Sequence, residues 1–427
     1  MTIRRFPHSR QLALPYPATL DLSFIGRDTL DPRITFTRAD ATTCATYFDT
    51  AGVLQTAAAN VPRFDYNPTT LAARGLLIEE SRTNSIRNNT MQGAVAGTPG
   101  TVPTNWIFAS SVSGISRQIV GTGTESGVAY IDVRYSGTST SSGTTQINAE
   151  TTTGVAALTG QTWTVSSYLK LAGGSFPGVL SIIWQERDSG GVAVLNASVG
   201  VSTPTTASLR TQRYSSTRTL SGGASVAYVT ARIDVNIPNA TVVDFTLRIG
   251  LPQLERGAFA TSVIPTTSAA VTREKDDAVV TTLTPWFNAS SGTLYAEYNI
   301  PVAAQNQHAA SLSDGTNNNR MIIRATNSST QTVFLGVDTT VTQWVVLLNT
   351  SPLNATTKSA FAYAPNDIAW VRDGGTVGTD TTATIPTVSQ LRLGADGDGS
   401  FRLCGHLRAV RYYPTRLSNT DLQAITA

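Results

Sequence analysis

The side chains in this 427-residue sequence best placed for chemistry are a few amides, carboxylates and aromatics. Asn317-Asn318-Asn319-Arg320 sets three amides beside a guanidinium, donors and acceptors that suit hydroxyl groups of a ligand and equally suit a solvated turn. Tyr363 precedes Pro365-Asn366-Asp367, which places a phenol beside a loop carrying two more polar side chains. Trp184 and Trp370 lie in apolar, strand-like runs. An exposed indole is a platform for a flat apolar face of a ligand. A β-sandwich, however, routinely buries a tryptophan between its sheets, and burial is the better reading of both. Asp396-Gly397-Asp398-Gly399 puts two carboxylates on a flexible loop, as a hard cation such as calcium requires. The rest of an EF-hand loop is missing and no glutamate follows, so a structural turn is preferred and calcium is kept as the one alternative cofactor. His406 falls in a strand-like run and reads as a packed structural residue.

Several chemistries have too few residues to support them. Glycoside hydrolysis needs two positioned carboxylic acids, and from residue 279 onward the only glutamate is Glu297. Glu186-Arg187-Asp188 runs into Ser189-Gly190-Gly191, a turn rather than a catalytic strand. With histidine at positions 8, 308 and 406 alone, a Ser/His/Asp triad has few places to form, and no nucleophile elbow appears. Aspartates alone still leave a polysaccharide depolymerase as the alternative to a protein without catalysis. Cys44 and Cys404 are far apart, so neither a disulfide framework nor a zinc cluster is expected. The net charge of +3 is small, and Arg4-Arg5, Arg402, Arg408, Arg411 and Arg416 form no dense basic block, which argues against a nucleic-acid partner. No apolar run is long enough for a membrane span, so membrane insertion is not expected. No apolar stretch follows the start Met1-Thr2-Ile3-Arg4-Arg5-Phe6-Pro7-His8, so synthesis in the cytoplasm without a signal peptide is expected.

The elements that would position these residues are strands. Hydrophobic residues reach 41% while charged residues stop at 14%, so the polar faces must be built from Ser, Thr, Asn, Gln and Gly. That balance suits sandwich sheets better than helices, which need Glu and Lys on their wet sides. The fold class expected is all-β: an N-terminal extended arm followed by two β-sandwich domains. The arm covers residues 1–95, with short alternating runs at Leu20–Phe24 and Ile34–Phe36, and serves as a linker or a docking segment. Residues 96–275 show a period of two at Trp163–Leu171, Val229–Val235 and Phe245–Leu251. The charge run Arg273-Glu274-Lys275-Asp276-Asp277 reads as a solvated connector. Residues 279–427 give a second sandwich, with strands at Thr293–Ile300, Met321–Arg324, Val333–Val337, Trp344–Leu348, Ile368–Arg372 and Leu403–Tyr413. A single short helix closes the chain, capped by Ser418 with Asp421 three residues on and Leu417 stapled to Leu422.

Three segments carry a resemblance. Arg74-Gly-Leu-Leu-Ile-Glu-Glu-Ser-Arg-Thr-Asn84 resembles a recurring element of structural proteins in tailed phages and prophages. Pro252-Gln-Leu-Glu-Arg-Gly-Ala-Phe-Ala-Thr-Ser-Val-Ile-Pro265 is similar to the closing segment of carbohydrate-binding-module-like jelly rolls in such proteins. The stretch from Gly405 to Gln423 resembles the end of laminin G-like, concanavalin A-type domains in phage tail fibres and head spikes, and related appendages occur on gene-transfer agents. The resemblance implies a jelly roll over 96–275, a concanavalin A-like lectin domain over 279–427 and a location on the particle surface. Its implied partners are a host surface polysaccharide (capsule or lipopolysaccharide) and other virion proteins reached through the arm. It also implies a homo-oligomer, most simply a trimer. Carbohydrate contact is then expected at Asn317, Asn318, Asn319, Arg320, Tyr363, Asn366 and Asp367, with Trp184 and Trp370 as aromatic candidates. A capsid or tail decoration protein that binds only virion proteins would have much the same sequence.

Overall fold

A computed structural model describes residues 17–200, 203–302, 306–326, 331–350 and 353–427, with the side chains of 349 and 350 left aside. Arg4, Arg5, His8 and the start of the expected arm lie outside the described residues. Half of the described residues are strand and 3% are helix, an all-β protein of antiparallel sheets. Its described residues divide into two compact units, one within 37–276 and the other formed by 17–36 with 277–427. The sequence pattern had suggested a division into 1–95, 96–275 and 279–427.

The unit 37–276 is built on two five-stranded sheets. One orders Arg213–Thr219, Thr162–Gly174, Val242–Arg256, Val128–Thr138 and Ile115–Glu125. The other orders Ala193–Gly200, Val179–Arg187, Tyr228–Ile237, Gly143–Asn148 and Ile107–Ser110. Their apolar faces meet in one core, to which the first sheet gives Val133, Val165, Leu169 and Leu247 and the second gives Ile147, Ile182, Trp184 and Val235. Alternation in the sequence thus becomes burial, because successive side chains on a strand point to opposite faces. Residues 37–95 belong to this unit through specific packing: Phe48 joins a cluster with Val128, Tyr168, Leu251 and Val263.

The expected solvated connector is corrected here, because Arg273 and Asp276 are 0% exposed. Asp276 accepts hydrogen bonds from Arg38 at 3.2 Å, from Arg63 at 2.6 Å and from the Glu79 backbone N–H at 2.8 Å. Glu79 pairs with Arg63 at 2.7 Å and Arg273 at 3.0 Å, and Arg38 also holds Asp40 at 2.5 Å. Three guanidiniums therefore face Asp40, Glu79 and Asp276, and the buried charges balance. Burial works against ionisation of Glu79, but Arg273, Arg63 and Ser262 outweigh it and hold its carboxyl far below the usual carboxylate range. The local charge density looked like a wet linker because the partners lie far away in the sequence.

The other unit also has two sheets. One orders Gly378–Asp380, Asp367–Arg372, Thr356–Ala364, Gly292–Asn299 and Gly405–Tyr413, with Leu20–Ser23 also paired to the last. The second orders Thr35–Thr37, Asp277–Val280, Gln390–Leu393, Gln307–Ser313, Arg320–Ala325, Gln331–Asp338 and Val341–Thr350. Phe334 of the second sheet meets Phe361 of the first edge-on, with ring centroids 6.5 Å apart, which marks the core between them. The helix Asn419–Thr426 starts as expected: Ser418 accepts a hydrogen bond from the Asp421 N–H, while Leu417 and Leu422 are buried together against Ala360, Ala369 and Tyr413.

Candidate functional site

Four connections of the C-terminal unit meet at one rim. Residues 314–319 join Gln307–Ser313 to Arg320–Ala325, and Thr339-Thr340 turns Gln331–Asp338 into Val341–Thr350. Pro365-Asn366 turns Thr356–Ala364 into Asp367–Arg372, and residues 394–404 lead from Gln390–Leu393 to Gly405–Tyr413. Asn317 donates through Nδ2 to Asp398 Oδ2 at 2.9 Å, and Arg320 donates through Nη1 to Asp396 Oδ2 at 2.6 Å. The Thr340 N–H donates to the Asn318 carbonyl at 3.0 Å, and the Thr339 N–H donates to Asn319 Oδ1 at 2.7 Å. Thr384 Oγ1 then reaches Asp338 at 2.7 Å, and the Asn366 N–H reaches the Ala383 carbonyl at 3.0 Å. The loops singled out from sequence for their amides and carboxylates therefore form one hydrogen-bonded array.

The turn at 396–400 is shaped by its glycines. Gly399 sits at φ +79°, a left-handed conformation that glycine adopts without strain, and a Cβ on Gly397 would collide with the Thr316 carbonyl. Beyond the turn Phe401 is 46% exposed, the one aromatic side chain left exposed among the described residues. Its ring stacks on His308, with centroids 6.0 Å apart and planes 17° from parallel.

The ionisable groups beneath the turn are unequal. Burial raises the carboxyl of Asp396 above its ordinary value, against the pull of Arg320. Burial acts the same way on Asp398, but hydrogen bonds from Ser400 outweigh it and leave that carboxyl below its ordinary value. His308 is fully buried, and desolvation, with Arg324 and Arg320 nearby, drives it well below the ordinary histidine value, so it stays neutral at pH 7.

Not every expected contact residue reaches this rim. Tyr363 is 0% exposed: its hydroxyl donates to the Asn288 carbonyl at 2.8 Å and shares a hydrogen bond with Tyr412 at 2.7 Å. Its nearness to a loop in sequence did not make it part of the surface, because it still lies on the inward phase of its strand. Trp184 is fully buried, its Nε1 directed at Ser216 at 3.3 Å, and Trp370 is packed against the bare Cα of Gly378. Neither indole offers a face to a ligand. Asn366 and Asp367 are exposed at the rim, where Asp367 pairs with Arg416 at 2.9 Å. Calcium does not fit Asp396 and Asp398: the first is engaged by Arg320, the second by Asn317 and Ser400, and a calcium ion takes about six to eight oxygens.

Sequence reading missed Phe401, because a phenylalanine after Gly399-Ser400 looks like any residue entering a strand. It also passed over a cleft of about 250 Å³ in the same unit, lined by Thr19, Arg33, Thr282, Thr284, Pro285 and Trp286. Trp286 is only 3% exposed and Arg33 is held by Asp31 at 2.8 Å, so this cleft offers hydroxyls more than an aromatic face.

No known family profile matches the sequence, and no characterised protein aligns with it. Among solved structures, the CBM40 module of the Ruminococcus gnavus IT-sialidase bound to α2,3-sialyllactose is similar over 33% of this chain and 84% of its own, at 15% identity and a TM-score of 0.29. Domain 4 of AbnA, a GH43 extracellular arabinanase from Geobacillus stearothermophilus in complex with arabinotriose, matches 40% of this chain and 81% of its own, at 14% identity and 0.28. Trypanosoma rangeli sialidase with the inhibitor DANA matches 73% of this chain and 62% of its own, at 10% identity and 0.28. Likeness this thin leaves the ligand to be argued from the chain's own residues.

Proposed function

We propose that the chain binds a cell-surface glycan at the rim of its C-terminal sandwich, without cleaving it. The observation that carries this reading is the convergence of Asn317–Arg320, Asn366 and Asp398 on one hydrogen-bonded rim, with the exposed ring of Phe401 three residues past Asp398 on the same connection. Amides and hydroxyls that pair with sugar hydroxyls, beside an aromatic face for the ring, are what carbohydrate recognition uses. Given the virion resemblance of its three quoted segments, the chain serves as a fibre or spike of a phage-like particle. The glycan is then host capsule or lipopolysaccharide, and the N-terminal residues dock to other virion proteins. Single-site glycan affinities are weak, so attachment gains from several linked copies, and a trimer is the simplest assembly. Probing purified protein on an array of host capsule and lipopolysaccharide glycans tests the reading; retention on no glycan sinks it in favour of a structural decoration protein. A mass in solution of three 45.1-kDa chains is expected, and a monomeric mass removes the trimer.

One observation favours a second reading. Asp396 and Asp398 are neighbours whose carboxyls are pushed in opposite directions, the pattern of an acid and its charged partner in hydrolases. Against it, Asp396 is 2% exposed and bound to Arg320, which favours the carboxylate, so it would have to shed that guanidinium before holding a proton to donate. Release of reducing sugar from a bound polysaccharide, lost in Asp396→Asn, would establish the depolymerase.

A further inference from the structure

The strand Arg320–Ala325 carries two arginines four residues apart, hence on one face of the sheet and about 13 Å apart along it. Between them on that face Ile322 joins Val333, Leu335 and Val337 in a small apolar cluster. The strand Gln307–Ser313 lies alongside, and its register sets His308 opposite Arg324. The 394–404 connection folds over this strand: Ser311 Oγ donates to the Ala395 carbonyl at 2.8 Å, and Phe401 stacks on His308.

The carboxylates around this face are already engaged. Asp396 holds Arg320, Asp398 holds the Asn317 amide and Ser400, and Asp277 is paired with both Arg392 and Arg402. Arg324 is left over. Among the described residues it is the only arginine off the exposed surface whose guanidinium meets no hydrogen-bond acceptor, and its Nε is enclosed. Every comparable arginine has an oxygen: Arg117 the carbonyls of Ala109 and Phe108, Arg210 that of Ala51, and Arg213 that of Thr261. Its neighbours add no acceptor: Arg320 is bonded to Asp396 through Nη1 while its enclosed Nε is unpaired, and both nitrogens of the wholly buried His308 lack a hydrogen-bond partner. Asp396 Oδ1 stands 3.5 Å from the ring's Nδ1 without forming a hydrogen bond. Asp396 attracts Arg324 but is bonded to Arg320, so the lost hydration of this half-buried guanidinium is only partly replaced. A half-buried guanidinium with no hydrogen-bond acceptor, one strand over from the histidine on which an exposed aromatic ring stacks, is complementary to an anion carried on a ring-shaped ligand.

We infer that the glycan recognised here is acidic, and that Arg324 receives its anionic substituent while Phe401 takes a face of the sugar ring. This rests on the glycan-binding reading and narrows its ligand to sugars bearing carboxylate, sulfate or phosphate. Guanidinium geometry favours such planar or multi-oxygen acceptors over a lone hydroxyl, and Arg324→Lys therefore replaces only part of the interaction.

The test prints bacterial capsular and lipopolysaccharide polysaccharides in matched forms, each native and after carboxyl reduction, desulfation or dephosphorylation, and applies the full chain. Binding to native acidic polymers, at least tenfold weaker on the neutralised form of the same skeleton, is expected, and the arm that loses binding identifies the anion. Arg324→Met is expected to lose at least tenfold on the acidic polymers with its thermal midpoint at or above the wild-type value, and Arg324→Lys to fall between the two. Equal binding to native and neutralised forms, or undiminished binding by a folded Arg324→Met, overturns the inference and leaves the glycan-binding reading standing. Should Arg324→Met not fold, the matched polymers and Arg324→Lys decide alone. Binding to no printed glycan overturns the reading, and the inference with it.

Discussion

Replacing Asp276 by Asn keeps the shape of the side chain and removes one negative charge from a site that water does not reach. Asp276 is 0% exposed and serves Arg38, Arg63 and the Glu79 N–H. After the change the three buried guanidiniums face only Asp40 and Glu79, and one positive charge is uncompensated. Breaking a buried ion pair from one side costs about 3–5 kcal/mol. For a unit of about 240 residues each kcal/mol moves the thermal midpoint by about 2–4 °C, so a fall of about 6–20 °C is expected. Calorimetry and urea denaturation of the full chain, followed by tryptophan fluorescence, measure it. Adding Arg38→Met to Asp276→Asn restores the charge balance and is expected to recover part of the loss. A single variant within about 1 kcal/mol of the wild type, the low end for losing any one buried hydrogen bond, would refute the burial of this network.

The same network sets an acid limit. Glu79 has its carboxyl held below the unfolded value, so the stability it contributes is full above about pH 4 and is lost as pH falls toward the folded value; the urea midpoint is expected to be lower at pH 3 than at pH 7. Gly336→Ala places a Cβ against the Trp344 ring, and overpacking of this kind costs about 1–3 kcal/mol, readable as a lower midpoint with a shifted tryptophan emission. Tyr363→Phe removes a buried hydroxyl that serves Asn288 and Tyr412, which lowers stability by about 1 kcal/mol and leaves glycan affinity unchanged; a binding loss in a variant of normal stability would return Tyr363 to the site.

What could be read from the sequence was local. The period of two at Trp163–Leu171 lies inside the strand Thr162–Gly174, and the Ser418 cap with its Leu417 and Leu422 staple depends on neighbours within one turn. The convergence of Asn317–Arg320 with Asp396–Asp398 was conditional on strand order, because residues some eighty positions apart meet only when Gln307–Ser313 lies between Gln390–Leu393 and Arg320–Ala325. Burial at Tyr363 depended on strand phase rather than on distance from a loop. Asp276 was misread because its charge is neutralised by Arg38 and Arg63, more than two hundred residues earlier. A pattern rule sees composition along the chain, whereas the dielectric around a carboxylate is set by whatever the fold brings next to it.

The most direct measurement takes the glycan that the full chain retains best and compares its Kd for the wild type, Phe401→Ala, Asn317→Ala and the cleft variant Arg33→Ala. The expected result is at least tenfold weaker binding, about 1.4 kcal/mol, in Phe401→Ala, a smaller loss in Asn317→Ala, and wild-type affinity in Arg33→Ala. Wild-type affinity in both rim variants, or a loss confined to Arg33→Ala, would contradict a binding site at the rim.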